Sequence, residues 1–283
     1  MHYPEHMMLE VTAKCNFRCP YCYCVWHERP ELAGPELDTK AWSGIIDKCS
    51  ADGCDDILLT GGEALLRKDI FMLLKYARAK LPKAKLTLFT NASRLDESII
   101  KKSKLLKVHL ATSLQGLKTY AAMTGTKRKP FRLLALMARA AELKWPMAVS
   151  LTITQENKGE AADMFAAAAL SGAATIQIGA MMAEGRGREN THLMLSREEW
   201  ECVKESIRNL PNANVPYTFA DEFICRCREQ PSGWLQKWGD DSAHECPAGK
   251  TFGVVGPNGA YRICLHAFAP QPVEEKPNSV VSE

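Results

Sequence analysis

Short apolar runs and amphipathic stretches alternate along the first 210 residues. Six runs rich in Val, Ile, Leu and Met stand at 7–12, 56–60, 86–90, 107–112, 148–154 and 175–180. Runs this short, bounded by turn residues, predict strands buried on both faces. Between and after them, apolar residues recur three and four positions apart at 39–51, 68–80, 96–104, 131–143, 159–170 and 197–209. That spacing gathers them on one side of a helix. The alternation predicts right-handed βαβ units around a parallel sheet. Six units predict an α/β fold, a partial (β/α)6 barrel with too few strands to close an eight-stranded one. In such sheets ligands sit at the carboxyl ends of the strands, so chemistry belongs in the loops after them.

The pattern changes at about residue 211. Leu210-Pro211-Asn212-Ala213-Asn214-Val215-Pro216 reads as a turn-rich linker. The expected partition is a barrel over 1–210 and a small cysteine-rich domain over 211–283. Two alternating runs, 252–255 and 260–263, flank Gly256-Pro257-Asn258-Gly259, a good hairpin signal. The Pro- and Glu-rich tail, 270–283, reads as disordered.

Composition changes this picture in one respect. Of 283 residues, 46% are apolar and 24% charged, which is ordinary for a globular chain. A net charge of +3 gives no electrostatic footprint for nucleic acid. The N-terminus lacks the basic and apolar regions of a signal peptide. The longest uncharged run, 164–183, contains Ser171, Gly172, Thr175, Gln177 and Gly179, which suits a helix, a break and a strand better than a membrane span. The departure is the 11 cysteines. In a long chain without a signal peptide they read as reduced thiols in the cytoplasm, either buried or ligating metal.

Cys15, Cys19 and Cys22 form a C-x3-C-x2-C loop directly after the first strand. Three thiolates this close in sequence converge on one centre at small entropic cost. Four would saturate a [4Fe–4S] cluster; three leave one iron open. Zinc binding with Cys24 as a fourth ligand, or plain burial, are the competing readings. Cys24, Cys49, Cys54 and Cys202 read as core or helix-face thiols.

The segment Cys15-Asn16-Phe17-Arg18-Cys19-Pro20-Tyr21-Cys22 resembles the signature of the radical S-adenosylmethionine (SAM) superfamily, and the resemblance extends over roughly 7–210. It implies that the open iron chelates SAM. One electron then yields a 5′-deoxyadenosyl radical that takes hydrogen from substrate. It also implies cofactor contacts by Tyr21 within the motif. Gly61-Gly62-Glu63 is similar to the family's Gly-Gly-Glu-Pro segment, which meets the amino group of SAM; Ala64 stands where Pro is usual. Thr90-Asn91-Ala92 is similar to Thr-Asn-Gly, which brings in Asn91. Ser113-Leu114-Gln115-Gly116 is similar to Ser-Leu-Asp-Gly, whose serine contacts the ribose, with Gln115 in place of Asp. Gly185-Arg186-Gly187-Arg188 is similar to a Gly-Arg segment beside the adenine.

Cys225, Cys227, Cys246 and Cys264 form a second group. Cys246-x12-Gly259-x4-Cys264 resembles the element that opens a SPASM or twitch auxiliary-cluster domain. The longer cysteine run of a full SPASM domain does not follow. The resemblance therefore implies one auxiliary [4Fe–4S] cluster; a structural zinc site is the alternative. Peptide maturases dominate this branch, so the implied activity is hydrogen abstraction from a peptide. Implied partners are an electron donor such as flavodoxin or ferredoxin and a separate leader-peptide recognition protein, since the cluster loop begins at Cys15. Two alternatives remain: the same chemistry on a small molecule in cofactor or metabolite biosynthesis, and a non-enzymatic iron–sulfur electron carrier. A carrier has no use for the Gly-Gly-Glu and Ser113 loops. No hydrogen or proton donor is assigned; Tyr120, Asp221 and Cys24 are candidates.

Overall fold

The computed structural model describes residues 2–211, 214–220 and 247–265. Six strands, β1 (His6–Glu10), β2 (Asp56–Thr60), β3 (Lys85–Phe89), β4 (Val108–Ser113), β5 (Ala148–Ile153) and β6 (Thr175–Ala180), lie side by side in chain order. Each is parallel to the next, so their carboxyl ends share one rim. The helices are α1 (Val25–Glu28), α2 (Thr39–Ala51), α3 (Ile70–Lys80), α4 (Glu97–Leu105), α5 (Tyr120–Thr124), α6 (Phe131–Glu142), α7 (Ala161–Leu170) and α8 (Arg197–Arg208).

Local chemistry starts the helices. Asp38 and Asp96 accept from the backbone N–H groups of Ala41 and Ile99, capping α2 and α4. Ser196 and Glu199 form a reciprocal capping box on α8. The apolar faces of α2 and α3 bury Trp42, Ile46, Leu73 and Leu74 against Ile57, Leu59, Leu86 and Leu88 of the sheet. Each such side chain contributes roughly 1.5–3 kcal/mol when fully buried.

Three more strands extend the sheet to nine. β7 (Tyr217–Phe219) pairs in parallel with β6. β8 (Phe252–Val255) pairs in parallel with β1, and β9 (Tyr261–Arg262) returns antiparallel to β8. The expected hairpin is therefore present, and its first strand is laid in register on the barrel's first strand, His6 opposite Phe252. Flanked on both sides, β1 buries Met7, Met8, Leu9 and even Glu10. Cys225, Cys227, Cys246, Asp221 and the 270–283 tail lie outside the described residues. No helix among the described residues is long and apolar enough to cross a membrane.

Candidate active site

The carboxyl ends of the strands open into a cavity of about 360 Å³. Cys15, Cys19 and Cys22 all line it, together with Tyr21 and Cys24. Backbone contacts hold this cysteine loop in place. Gly62 N donates to Thr12 O at 2.7 Å, and Glu63 N donates to Lys14 O at 2.8 Å. A Cβ on Gly61 would stand 2.2 Å from Thr12 O, and one on Gly62 2.3 Å from Lys14 O. A side chain at either position would push the loop off β2. From the far side, Arg186 Nη1 donates to Cys19 O at 3.1 Å and Asn190 Nδ2 to Pro20 O at 3.2 Å. The Gly-Arg segment thus clamps the cysteine loop, and its neighbour Met182 is what reaches the cavity.

A larger open groove of about 1040 Å³ runs along the outer side of the loop. Cys15 lines it too, but Cys19 and Cys22 do not. The inner cavity is lined by all three of these cysteines.

The sulfurs are differentiated. Phe17 N donates to Cys15 Sγ at 3.4 Å, and Asn91 Nδ2 stands 3.8 Å from the same atom. Burial pushes the Cys15 thiol up and the Cys19 thiol up to about 12. Cys22 is held well below the ordinary thiol range, first by a hydrogen bond from Cys24 and then by His27. As the donor in that pair, Cys24 is pushed up. His27 Nδ1 lies 3.3 Å from Cys22 Sγ, and its Nε2 lies 3.0 Å from Ala13 O. A carbonyl only accepts, so Nε2 carries a proton. Among the described residues, no three His, Cys, Asp or Glu side chains group around a position for one metal ion. The three thiols instead line one cavity. As a donor set, three thiolates suit a multi-iron cluster better than one metal ion.

Tyr21, Gly61, Gly62, Asn91 and Ser113 line the same cavity. Glu63 is placed differently. It is 1% exposed, and its carboxylate accepts from Thr90 Oγ1 at 2.6 Å, Asn91 N at 2.6 Å and Leu65 N at 3.0 Å. Burial pushes its carboxyl up, and those donors pull it back. The side chain ties β2 to β3 behind the cavity wall. Ala92, where the family pattern has Gly, takes the left-handed conformation at φ 58°. Such a conformation costs a non-glycine residue roughly 1–2 kcal/mol; here Ala92 N finds Thr90 Oγ1 at 3.0 Å.

Ser150 on β5 and Gln177 on β6 also line the cavity and had no role from the sequence; Thr152, marked there only as part of the end of the fifth strand, lines it with them. Ser113, Ser150 and Gln177 sit directly opposite one another across β4, β5 and β6. Polar residues two apart near a strand's carboxyl end, as at 113/115 and 150/152, are the signal that would have found them. Gln115 Oε1 accepts from Thr152 N at 3.0 Å, so the replacement for the family's Asp braces β4 against β5. No Asp, Glu, Lys or Arg lines the cavity among the described residues.

These features define a parallel α/β partial barrel with a thiol tripod at its carboxyl rim. The Radical SAM superfamily profile matches residues 9–168, and the chain belongs to that superfamily. It is 28% identical over 252 residues to a PqqA peptide cyclase of Granulibacter bethesdensis, covering 83% of this chain and 64% of that protein. It is 29% identical over 189 residues to the sporulation killing factor maturation protein SkfB of Bacillus subtilis, covering 66% of this chain and 45% of SkfB. The chain thus spans less than two thirds of the length of these relatives. In fold it resembles Streptococcus suis SuiB bound to precursor peptide SuiA, with a TM-score of 0.69 at 18% identity, over 94% of this chain and 60% of SuiB.

Proposed function

We propose that this chain reductively cleaves SAM and abstracts hydrogen from a peptide. That Cys15, Cys19 and Cys22 line one cavity with Gly61, Gly62, Asn91 and Ser113 carries the reading. When bound, a [4Fe–4S] cluster supplies the electron that splits SAM into methionine and a 5′-deoxyadenosyl radical. The chain's own groups do the rest. Cys15, Cys19 and Cys22 would hold the cluster, and three thiolates leave one iron of a [4Fe–4S] cluster without a protein thiolate. The bare backbone of Gly61-Gly62 lets the methionine end of SAM lie close to β2, a role Glu63 supports from behind. Ser113, with Ser150 and Gln177 beside it, offers hydroxyl and amide hydrogen bonds to the ribose side.

The peptide is supported by relatives named as PqqA peptide cyclases and by the likeness in fold to SuiB bound to precursor peptide SuiA. The 211–283 segment, with Cys225, Cys227, Cys246 and Cys264, is proposed to hold an auxiliary [4Fe–4S] cluster. A reduced flavodoxin or ferredoxin would supply electrons in the cytoplasm, and a separate protein would present the peptide's leader. The test uses short peptides encoded beside the gene, synthesised with deuterated side chains and incubated with loaded enzyme, SAM and dithionite. Deuterium arriving in 5′-deoxyadenosine is expected. If deuterium is absent with every such peptide while SAM is cleaved, the peptide reading falls and the small-molecule one takes its place.

A further inference from the structure

One charge pair is buried beside the cysteine loop. Glu10 at the end of β1 is 2% exposed, and Arg262 on β9 is 1% exposed. They are 252 residues apart in sequence and form an ion pair through Glu10 Oε2 and Arg262 Nη2. The same Glu10 oxygen accepts from Trp26 Nε1 at 2.7 Å. The Arg262 guanidinium lies 4.7 Å from the centre of the Trp26 ring. Trp26 belongs to α1, which begins three residues after Cys22.

The second amino group of the Arg262 guanidinium ties to the segment that follows β9. Its Nη1 donates to Leu265 O at 3.0 Å, and Leu265 lines the cavity with Cys22 and Cys24. Cys264 lies between the two and is buried. The hairpin turn is pinned to the same region: Leu37 N donates to Pro257 O at 2.9 Å and Asn258 Nδ2 to Leu32 O at 3.1 Å. Sheet pairing alone would attach β8 to β1. The pair does more, because it joins the end of β1, the helix after the cysteine loop and the Cys264 segment at one point.

We infer that Arg262 is a positioning residue for the N-terminal cysteine loop. Through Glu10 and Trp26 it fixes α1, and with α1 the exit of the loop that carries Cys22. Through Leu265 it fixes the segment that carries the buried Cys264. The C-terminal hairpin is thus part of the N-terminal cluster site. A buried pair suits this role because removing either partner costs the other a desolvated charge-assisted hydrogen bond, so the two segments hold or release together. For the loaded state, the inference rests on the cluster reading given above. For the cluster-free chain, it does not.

Hydrogen exchange by mass spectrometry on the cluster-free full-length chain tests the geometry. Arg262→Met is expected to speed exchange at least tenfold in residues 13–27 and leave β3 to β5 unchanged, with Arg262→Lys in between. Unchanged exchange in 13–27, alongside faster exchange in the hairpin, would overturn it. Should Arg262→Met exchange fast everywhere, the near-isosteric Glu10→Gln decides by the same criterion, faster in 13–27 supporting and unchanged overturning. In loaded protein, Glu10→Gln removes the carboxylate charge buried beside the cysteine loop. The SAM-perturbed cluster should then titrate at a more positive potential. An unmoved potential would contradict a contact with the cluster environment. Wild-type protein that loads no SAM-responsive cluster would refute the proposed function and leave the exchange result standing.

Discussion

At the scale of single residues, the three cysteines of the loop differ in ways that spacing does not show. Cys22 is biased toward thiolate by Cys24 and His27, whereas Cys15 and Cys19 are biased toward thiol by burial. Thiolate is the nucleophile. A limited dose of iodoacetamide at pH 7 on cluster-free protein should therefore label Cys22 before Cys15 and Cys19, as read by peptide mapping. Equal labelling of all three would contradict the hydrogen-bond assignment. Gly62 tests the loop's seat. Because a Cβ there meets Lys14 O at 2.3 Å, Gly62→Ala should displace the loop and cut SAM cleavage at least a hundredfold. Circular dichroism should meanwhile remain that of a folded barrel. The presence of Cys15, Gly62 and Ser113 at strand ends was legible from order along the chain. The direction of the Glu63 carboxylate was not, because it depends on Thr90 and Asn91 of a neighbouring strand.

At the scale of elements, the six helix stretches and six strands stand within two or three residues of where periodicity put them. Their signals are local: apolar spacing, Asp and Ser caps, glycines after the strands. β7 and α5 escaped because each is short, three and five residues, with little room for a period. That β8 would lie against β1 was illegible for another reason, since register between distant segments leaves no local pattern. The β2–α3 connection offers a pH test. Arg67 makes two contacts to Asp69, at 2.8 and 2.7 Å, and holds its carboxyl down at about 2. A depressed carboxylate stabilises the fold above its unfolded value, near 3.9, and that stability is lost as pH falls through the folded value. Asp69→Asn should cost about 1 kcal/mol at pH 7 after solvent screening, shrinking to nothing near pH 2. Urea melts at both pH values would measure it. A variant equally destabilised at both would contradict the ion-pair account.

At the scale of the whole molecule, the sheet gathers onto one rim what the chain scatters from residue 15 to residue 265. Parallel pairing puts the ends of β1, β2, β3, β4, β5 and β6 together, and the hairpin brings Cys264 to the same end. Loading both cysteine groups should give about eight irons per chain, and Cys15→Ala, Cys19→Ala and Cys22→Ala combined should leave about four. Four irons in the unchanged chain would remove the auxiliary cluster. The central claim concerns the cavity itself, and product analysis reaches it most directly. Anaerobically loaded protein, reduced with dithionite in the presence of SAM, should yield methionine and 5′-deoxyadenosine in equal amounts. The triple cysteine variant should yield neither. Fully loaded wild-type protein that leaves SAM intact would contradict the account.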